Sequence, residues 1–211
     1  MTDLDGARSS LVEVGRMLSA AGLSPGSTGN LSIRVGDRIV CTPTGSRLSA
    51  LETDRLSVID LDGAVVSGPR ATKETFMHRA MYGANPSFGA VVHLHSAHAT
   101  AVSCLADGDP RDAVLPLTPY LTMRAGAVRS MPYVAPGDPA AAAPIARAVG
   151  EGASALLLQN HGSLVAAQTL DDAAAVAEEL EESCRLVILT AGLAVRPLSP
   201  SQRVALMHRG P

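Results

Sequence analysis

The segment Gly89-Ala-Val-Val-His-Leu-His-Ser96 carries two histidines two residues apart inside a run that reads as a buried strand. Side chains alternate faces along a strand, so His93 and His95 project from one side, close enough to grip one metal ion. A third imidazole, His161, stands in Ala155-Leu-Leu-Leu-Gln-Asn-His-Gly162, where another apolar strand stops at a glycine. Three imidazoles are a common catalytic-metal shell, and Glu74, at the start of a helical pattern, adds a carboxylate. The set suits Zn2+, while Mn2+, Fe2+ or Co2+ would also be chemically acceptable. Taken singly, a buried imidazole is more often a hydrogen-bonded core residue than a ligand, and spacing alone does not bring the three segments together. His78, one turn after Glu74, and His98, at a helix start behind the strand, are read as structural, and His208 in the tail as solvated.

Two glycine loops, Ser27-Thr-Gly-Asn30 and Thr42-Pro-Thr-Gly45, combine hydroxyl and amide donors with backbone free to approach an anion. Such strings also mark ordinary turns. Thr72 and Lys73 sit at an expected helix N-terminus, where unpaired N–H groups and the dipole favour phosphate. Together the three places could enclose a phosphate group beside the metal.

Positioning these groups falls to alternating helical and strand patterns. Leu11, Val14, Met17, Leu18 and Ala21 recur at helical spacing from Leu4 to Ala21. Strands are expected over Leu31 to Val35 and Arg38 to Cys41, joined at Gly36-Asp37, with a further hairpin from Leu56 to Val66 turning at Asp62-Gly63. A helix is expected over Arg70 to Tyr82 with Thr72 as N-cap and Glu74 in its first turn, then the histidine strand, then a helix from Ser96 to Leu105. Leu115 to Ala135, broken by prolines, reads as strand and loop. Asp138-Pro139 caps a helix that ends near Gly150. The strand Ala155 to Leu158, a strand Ser163 to Ala167 and a long helix Leu170 to Leu189 follow. Glu178, Glu179, Glu181 and Glu182 are read as a solvated acidic side of that helix, and the tail from Arg196 as partly loose. No repeat or linker interrupts residues 1–211, which predicts a single α/β domain.

Composition removes several function classes. A hydrophobic fraction of 46% in 211 residues is enough for a sizeable core, but with no Trp, three Tyr and two Phe there is no base-stacking platform. The net charge of −3, with scattered Lys and Arg, offers no stripe for a nucleic-acid backbone. The acidic N-terminus lacks a signal-peptide pattern, and the apolar run Leu186 to Val195 is too short for a bilayer, so a cytoplasmic protein without a membrane partner is expected. Cys41, Cys104 and Cys184 are odd in number with no CxxC pair, and are read as reduced, packed thiols.

In order, Thr28-Gly-Asn-Leu-Ser32, Thr42-Pro-Thr-Gly45, Lys73-Glu74, His93-Leu-His95 and Asn160-His-Gly162 resemble the class II aldolase/adducin family over nearly the whole chain. The resemblance implies a three-layer α/β/α fold around a largely antiparallel sheet, assembled as a homotetramer with sites at subunit interfaces. It implies metal binding by His93, His95 and His161, with Glu74 as ligand or acid/base. Phosphate contacts would fall to Gly29, Asn30, Thr44, Gly45 and Thr72. Thr72-Lys73 stands where the fuculose-phosphate aldolases carry Ser-Ser. The strings Ala71-Thr-Lys-Glu-Thr-Phe-Met-His-Arg-Ala-Met-Tyr82, Tyr120-Leu-Thr-Met-Arg124, Pro132-Tyr-Val-Ala-Pro-Gly-Asp138 and Glu178-Glu-Leu-Glu181 look like the family's 3-oxo-tetronate 4-phosphate decarboxylases. That branch implies a phosphorylated sugar-acid substrate, converted to dihydroxyacetone phosphate and CO2 through an enediolate that a chelated metal would stabilise. Lys73 is expected on the phosphate, because a cation gripping the leaving carboxylate would favour the ground state. Tyr120 corresponds to a region that serves a neighbouring subunit's site as an acid or binding group, and Arg124 would meet the substrate carboxylate. The rivals are a sugar-phosphate aldolase or epimerase and a metal-free adducin-like interaction module; the intact His and Glu74 set disfavours the last.

Overall fold

The computed structural model describes residues 3–106 and 108–207. Helix α1 (Leu4–Ala20) starts where the Asp3 carboxylate accepts the Gly6 N–H at 2.7 Å, and it buries Leu11, Val14 and Leu18. The expected hairpins follow as β1 (Asn30–Val35) with β2 (Arg38–Cys41), and β3 (Ser57–Asp60) with β4 (Val65–Ser67). Helix α2 (Thr75–Ala84) leads into β5 (Ala90–Leu94), which carries His93, and α3 (Ala97–Ser103). After α4 (Pro119–Ala125) come β6 (Arg129–Met131), α5 (Ala142–Gly150), β7 (Ala155–Leu158), β8 (Gly162–Ala167), α6 (Leu170–Leu189) and α7 (Pro200–Met207).

The strands form one sheet in the order β4-β3-β2-β1-β5-β8-β7-β6. Every neighbouring pair is antiparallel except β6 with β7, whose parallel pairing is bridged by α5. Helices α1, α3 and α6 pack on one face with Leu31, Val92 and Val165, while α2 and α5 cover the other with Ile59, Val91 and Leu164. This is the three-layer arrangement around a largely antiparallel sheet that the resemblance implied. The pleat of β5 sends Ala90, Val92 and Leu94 into the first core and Val91 into the second. His93 therefore shares the second face, on the side of α2.

Several expectations need correction. Helix α2 begins at Thr75, not Arg70: Glu74 occupies the N-cap position, and Thr72 Oγ1 accepts the Glu74 N–H at 3.3 Å without capping a helix of its own. Residues before it are drawn into extended pairing with the second glycine loop, through Thr72 N to Thr42 O and Thr44 N to Arg70 O, each at 3.1 Å. His95 lies one residue beyond the end of β5. The stretch read as strand and loop contains α4, because Pro119 sits at its first position, where a missing N–H costs nothing, and Gly126 with φ +68° ends it. The tail forms α7, tied down by the Arg203–Asp112 ion pair and by Leu198 N to Pro116 O at 2.8 Å. His208 lies outside the described residues. Cys41 and Cys184 are buried, and burial pushes the Cys41 thiol up to about 12, but Cys104 is exposed.

The acidic side of α6 is not uniformly solvated. Glu181 turns inward and accepts the His98 N–H at 3.0 Å, the Ala99 N–H at 2.8 Å and the His98 ring at 2.8 Å. Its carboxylate supplies the cap that Ser96 does not give α3, which fixes the segment immediately after His95.

Candidate active site

The three imidazoles converge. Their rings stand edge-on with centroids 4.7 Å, 4.8 Å and 5.0 Å apart, and one nitrogen from each lies within 4.8 Å of the others. His93 Nδ1 donates to the Ser163 carbonyl oxygen at 2.7 Å, which leaves the Nε2 lone pair facing inward. His95 Nε2 comes within 3.0 Å of that nitrogen. His161 Nε2 is buried and has no hydrogen-bond partner among the described residues. An orphaned buried nitrogen aimed at two others is a donor set built for a cation.

Backbone constraints place these rings. Asn160 adopts φ +54°, one of the few side chains that tolerate the left-handed region, and turns β7 back into β8 just before His161. At Gly162 a Cβ would stand 2.3 Å from the Leu94 carbonyl oxygen, so only glycine lets the two histidine-bearing segments meet. Burial, then the neighbouring His95 and His161 rings, holds His93 well below the ordinary imidazole range. Burial also lowers His95 and His161, opposed in both by the Glu74 charge. All three are neutral at physiological pH, the form that binds metal.

Glu74 closes the cluster, with Oε2 3.4 Å from His93 Nε2 and Oε1 3.6 Å from His161 Nε2. Its Oε2 also accepts the Asn30 Nδ2–H at 2.9 Å. Asn30 Oδ1 in turn meets His78 Nε2 at 2.6 Å, His78 Nδ1 meets Ser32 Oγ at 2.7 Å, and Ser32 Oγ meets Tyr82 OH at 2.7 Å. With Asn30 Oδ1 as acceptor, His78 carries its proton on Nε2 and accepts from Ser32 on Nδ1. Burial pushes His78 down to about 3, so this ring stays neutral. The network went unread in the sequence, although a signal exists: Glu74, His78 and Tyr82 repeat every four residues on a helix, opposite Asn30 and Ser32 on alternate strand positions.

One open pocket of about 160 Å³ joins the cluster to the anion loops. Gly29, Asn30, Thr44, Gly45, Thr72 and Lys73 line it together with Glu74, His95 and His161. Asn30 is brought there, and its amide also bonds to Glu74 through Nδ2 and to His78 through Oδ1. Tyr120 and Arg124 are not brought there: both lie on α4, which packs on α6 and α7, and Tyr120 is 59% exposed.

Known proteins share this architecture. The chain is 42% identical to the 3-oxo-tetronate 4-phosphate decarboxylase of Haemophilus influenzae over 211 residues, covering 100% of both chains. The crystal structure of YgbL from Klebsiella pneumoniae superposes with a TM-score of 0.93 at 40% identity, covering 98% of this chain and 99% of that one. An L-fuculose 1-phosphate aldolase structure gives a TM-score of 0.86 at 29% identity, covering 96% and 95%. The model of the Class II Aldolase and Adducin N-terminal domain matches residues 9–188, and the chain belongs to that family.

Proposed function

We propose that residues 1–211 act as one domain that decarboxylates a 3-oxo-tetronate 4-phosphate to dihydroxyacetone phosphate and CO2. The observation that carries the reading is one pocket with His95, His161 and Glu74, clustered with the buried His93, at one end and hydroxyl- and glycine-rich loops at the other. The full-length relative named for this reaction selects the substrate. His93, His95 and His161 would hold a divalent cation, with Zn2+ the first choice for such a shell, and it would supply Lewis acidity toward the negative charge left when CO2 departs.

The chain's own groups do the rest. Gly29, Thr44, Gly45 and Thr72 bind the phosphate through hydroxyls and close backbone, and Lys73 adds the charge. The C3 carbonyl is β to the carboxylate, so the C1–C2 bonding pair has an electron sink when CO2 departs. The Asn30 N–H holds Glu74 Oε2, which leaves Oε1 as the oxygen that relays a proton from solvent to C2. Asn30 serves Glu74 through one Nδ2–H and keeps the other for the phosphate. Tyr120 and Arg124 act, in a homotetramer, on a neighbour's pocket; the exposure of Tyr120 away from its own pocket supports this. Among the described residues no helix is long and apolar enough to cross a membrane.

The deciding experiment incubates the protein with a 3-oxo-tetronate 4-phosphate while CO2 and dihydroxyacetone phosphate are followed. Release of both in equal amounts is expected. An aldehyde released from a longer sugar phosphate, without CO2, would establish the aldolase instead. Protein that neither retains metal when purified without chelator nor binds added Zn2+ or Mn2+ would refute the metal chemistry.

A further inference from the structure

Behind Glu74 a file of polar side chains runs from the pocket into the layer between β1 and α2. Asn30 and Ser32 stand on β1, His78 and Tyr82 on α2, and none of the four is more than 5% exposed. Glu74 and Asn30 line the pocket, whereas Ser32, His78 and Tyr82 do not. The last member, Tyr82, donates to the Ser32 carbonyl oxygen at 3.0 Å, so the file ends on the backbone with its polar atoms satisfied.

Its donor order follows from the end that meets the pocket. An ionised carboxylate only accepts, so Asn30 must turn Nδ2 to Glu74 and Oδ1 to His78. The Asn30 Oδ1 also only accepts, which puts the His78 proton on Nε2 and leaves Nδ1 to accept from the Ser32 hydroxyl. Turned the other way, the amide would set Oδ1 against Glu74 Oε2, lone pair to lone pair. The two ends of an amide differ little in size, so packing does not choose between these orientations, and the His78 N–H does. We infer that His78, backed by Ser32 and Tyr82, is a positioning residue of the reaction: its Nε2–H pins the Asn30 amide, and the pinned amide holds the Glu74 carboxylate for proton relay to C2. The inference deepens the decarboxylase reading and rests on it.

What this arrangement governs is the fate of the enediolate. When CO2 departs, the C1–C2 bonding pair enters an enediolate over C2 and C3 that still carries the C4 phosphate. A proton relayed through Glu74 Oε1 to C2 gives dihydroxyacetone phosphate. Failing that, the C2 hydroxyl gives up its proton, C2 becomes an aldehyde carbon, the double bond moves to C3–C4, and the pair of the C4–O bond leaves with inorganic phosphate. The enol left behind tautomerises to methylglyoxal. A displacement of about 1 Å in a reacting group costs as much as about a hundredfold in rate, so a carboxylate free to swing gives elimination its chance.

Three variants and one measurement on the wild type test this. His78→Leu removes the N–H, and Ser32→Ala/His78→Leu also removes the hydroxyl that the first change strands in the interior, which favours folding. His78→Gln returns an amide N–H toward Asn30. Each protein is assayed for CO2, dihydroxyacetone phosphate and inorganic phosphate. Both leucine variants are expected to lower kcat about tenfold and to raise phosphate released per CO2 about tenfold with metal content unchanged, and His78→Gln to restore the wild-type ratio. Loss of folded protein lowers every product alike and leaves that ratio alone. A wild-type ratio in the leucine variants, or one as high in His78→Gln as in them, would overturn the inference. Nitrogen NMR of wild-type protein with labelled histidine, the His78 signals identified by their absence in His78→Gln, should place the proton on Nε2. A proton on Nδ1 would overturn the inference without recourse to any variant's activity. Wild-type protein that releases no CO2 would instead refute the decarboxylase reading, and the inference with it.

Discussion

The neutral His78 ring makes a quantitative forecast about acid stability. Burial lowers this imidazole from 6.5 to about 3, because protonation would place a charge among Asn30, Ser32 and Tyr82 with no carboxylate of its own. Above pH 6.5 the ring is neutral in both folded and unfolded chains and contributes nothing to pH dependence. Below it the unfolded chain takes up a proton that the folded chain refuses until about pH 3, so stability falls as pH drops through that window. The limiting slope is about 1.4 kcal/mol per pH unit, which integrates to about 2.5 kcal/mol between pH 7 and pH 4.5. For a chain of this size that is about 5–10 °C in Tm. His78→Gln keeps an amide N–H near the Nε2 position but cannot titrate. His93, His95 and His161 are common to both proteins, so their share cancels in the comparison. Urea unfolding of chelator-treated wild-type and His78→Gln protein at the two pH values isolates the difference. The wild type should lose about 2.5 kcal/mol more than the variant over this interval. Equal losses would mean that His78 is not held neutral, and the donor order from Tyr82 to Glu74 would be wrong.

Other outcomes follow from the same geometry. His161→Ala removes the orphaned Nε2 and should abolish stoichiometric metal by elemental analysis and cut kcat by more than about a hundredfold; retained metal would exclude His161 as a ligand. Lys73→Ala should raise KM for the phosphorylated substrate while leaving metal content alone, and an unchanged KM would count against its place on the phosphate. Glu181→Ala strips two backbone N–H groups and the His98 ring of their acceptor, at a cost of about 1–3 kcal/mol in denaturant unfolding at pH 7. The backbone N–H of His98 and its companions outweigh burial and hold the Glu181 carboxyl below its ordinary range, so that deficit should shrink as acid protonates the wild-type carboxylate.

Much of the site could be read from residue order because its parts follow local periodicities. The two-residue spacing of His93 and His95 keeps both rings on one side, Asn160 with φ +54° makes the turn that presents His161, and Gly162 lets the two segments meet. Local rules failed where distant contacts outcompeted them. Thr72 looked like a helix cap, yet its N–H bonds to Thr42 O across the glycine loops, which moved the helix start to Thr75. Asn30 was read as an anion donor only, and its bonds to Glu74 and His78, partners 44 and 48 residues away, had no local signal. Glu181 looked like one of four solvated acids, and only the approach of α3 shows that it faces inward. The prolines around α4 were read as breakers, although one of them opens the helix.

The sheet register also has a consequence for how the enzyme comes into being. Asn30 pairs with His93, and His93 pairs with Leu164, while the His93 ring bonds to Ser163 across a separation of 70 residues. Each closure must be made before the contacts it enables reward it, so the centre belongs to the slow, non-local part of folding. A nascent chain that has not yet delivered β8 lacks His161 and the carbonyl that orients His93. During synthesis, therefore, the three imidazoles cannot come together until the segment that carries His161 has followed the strand that carries His93.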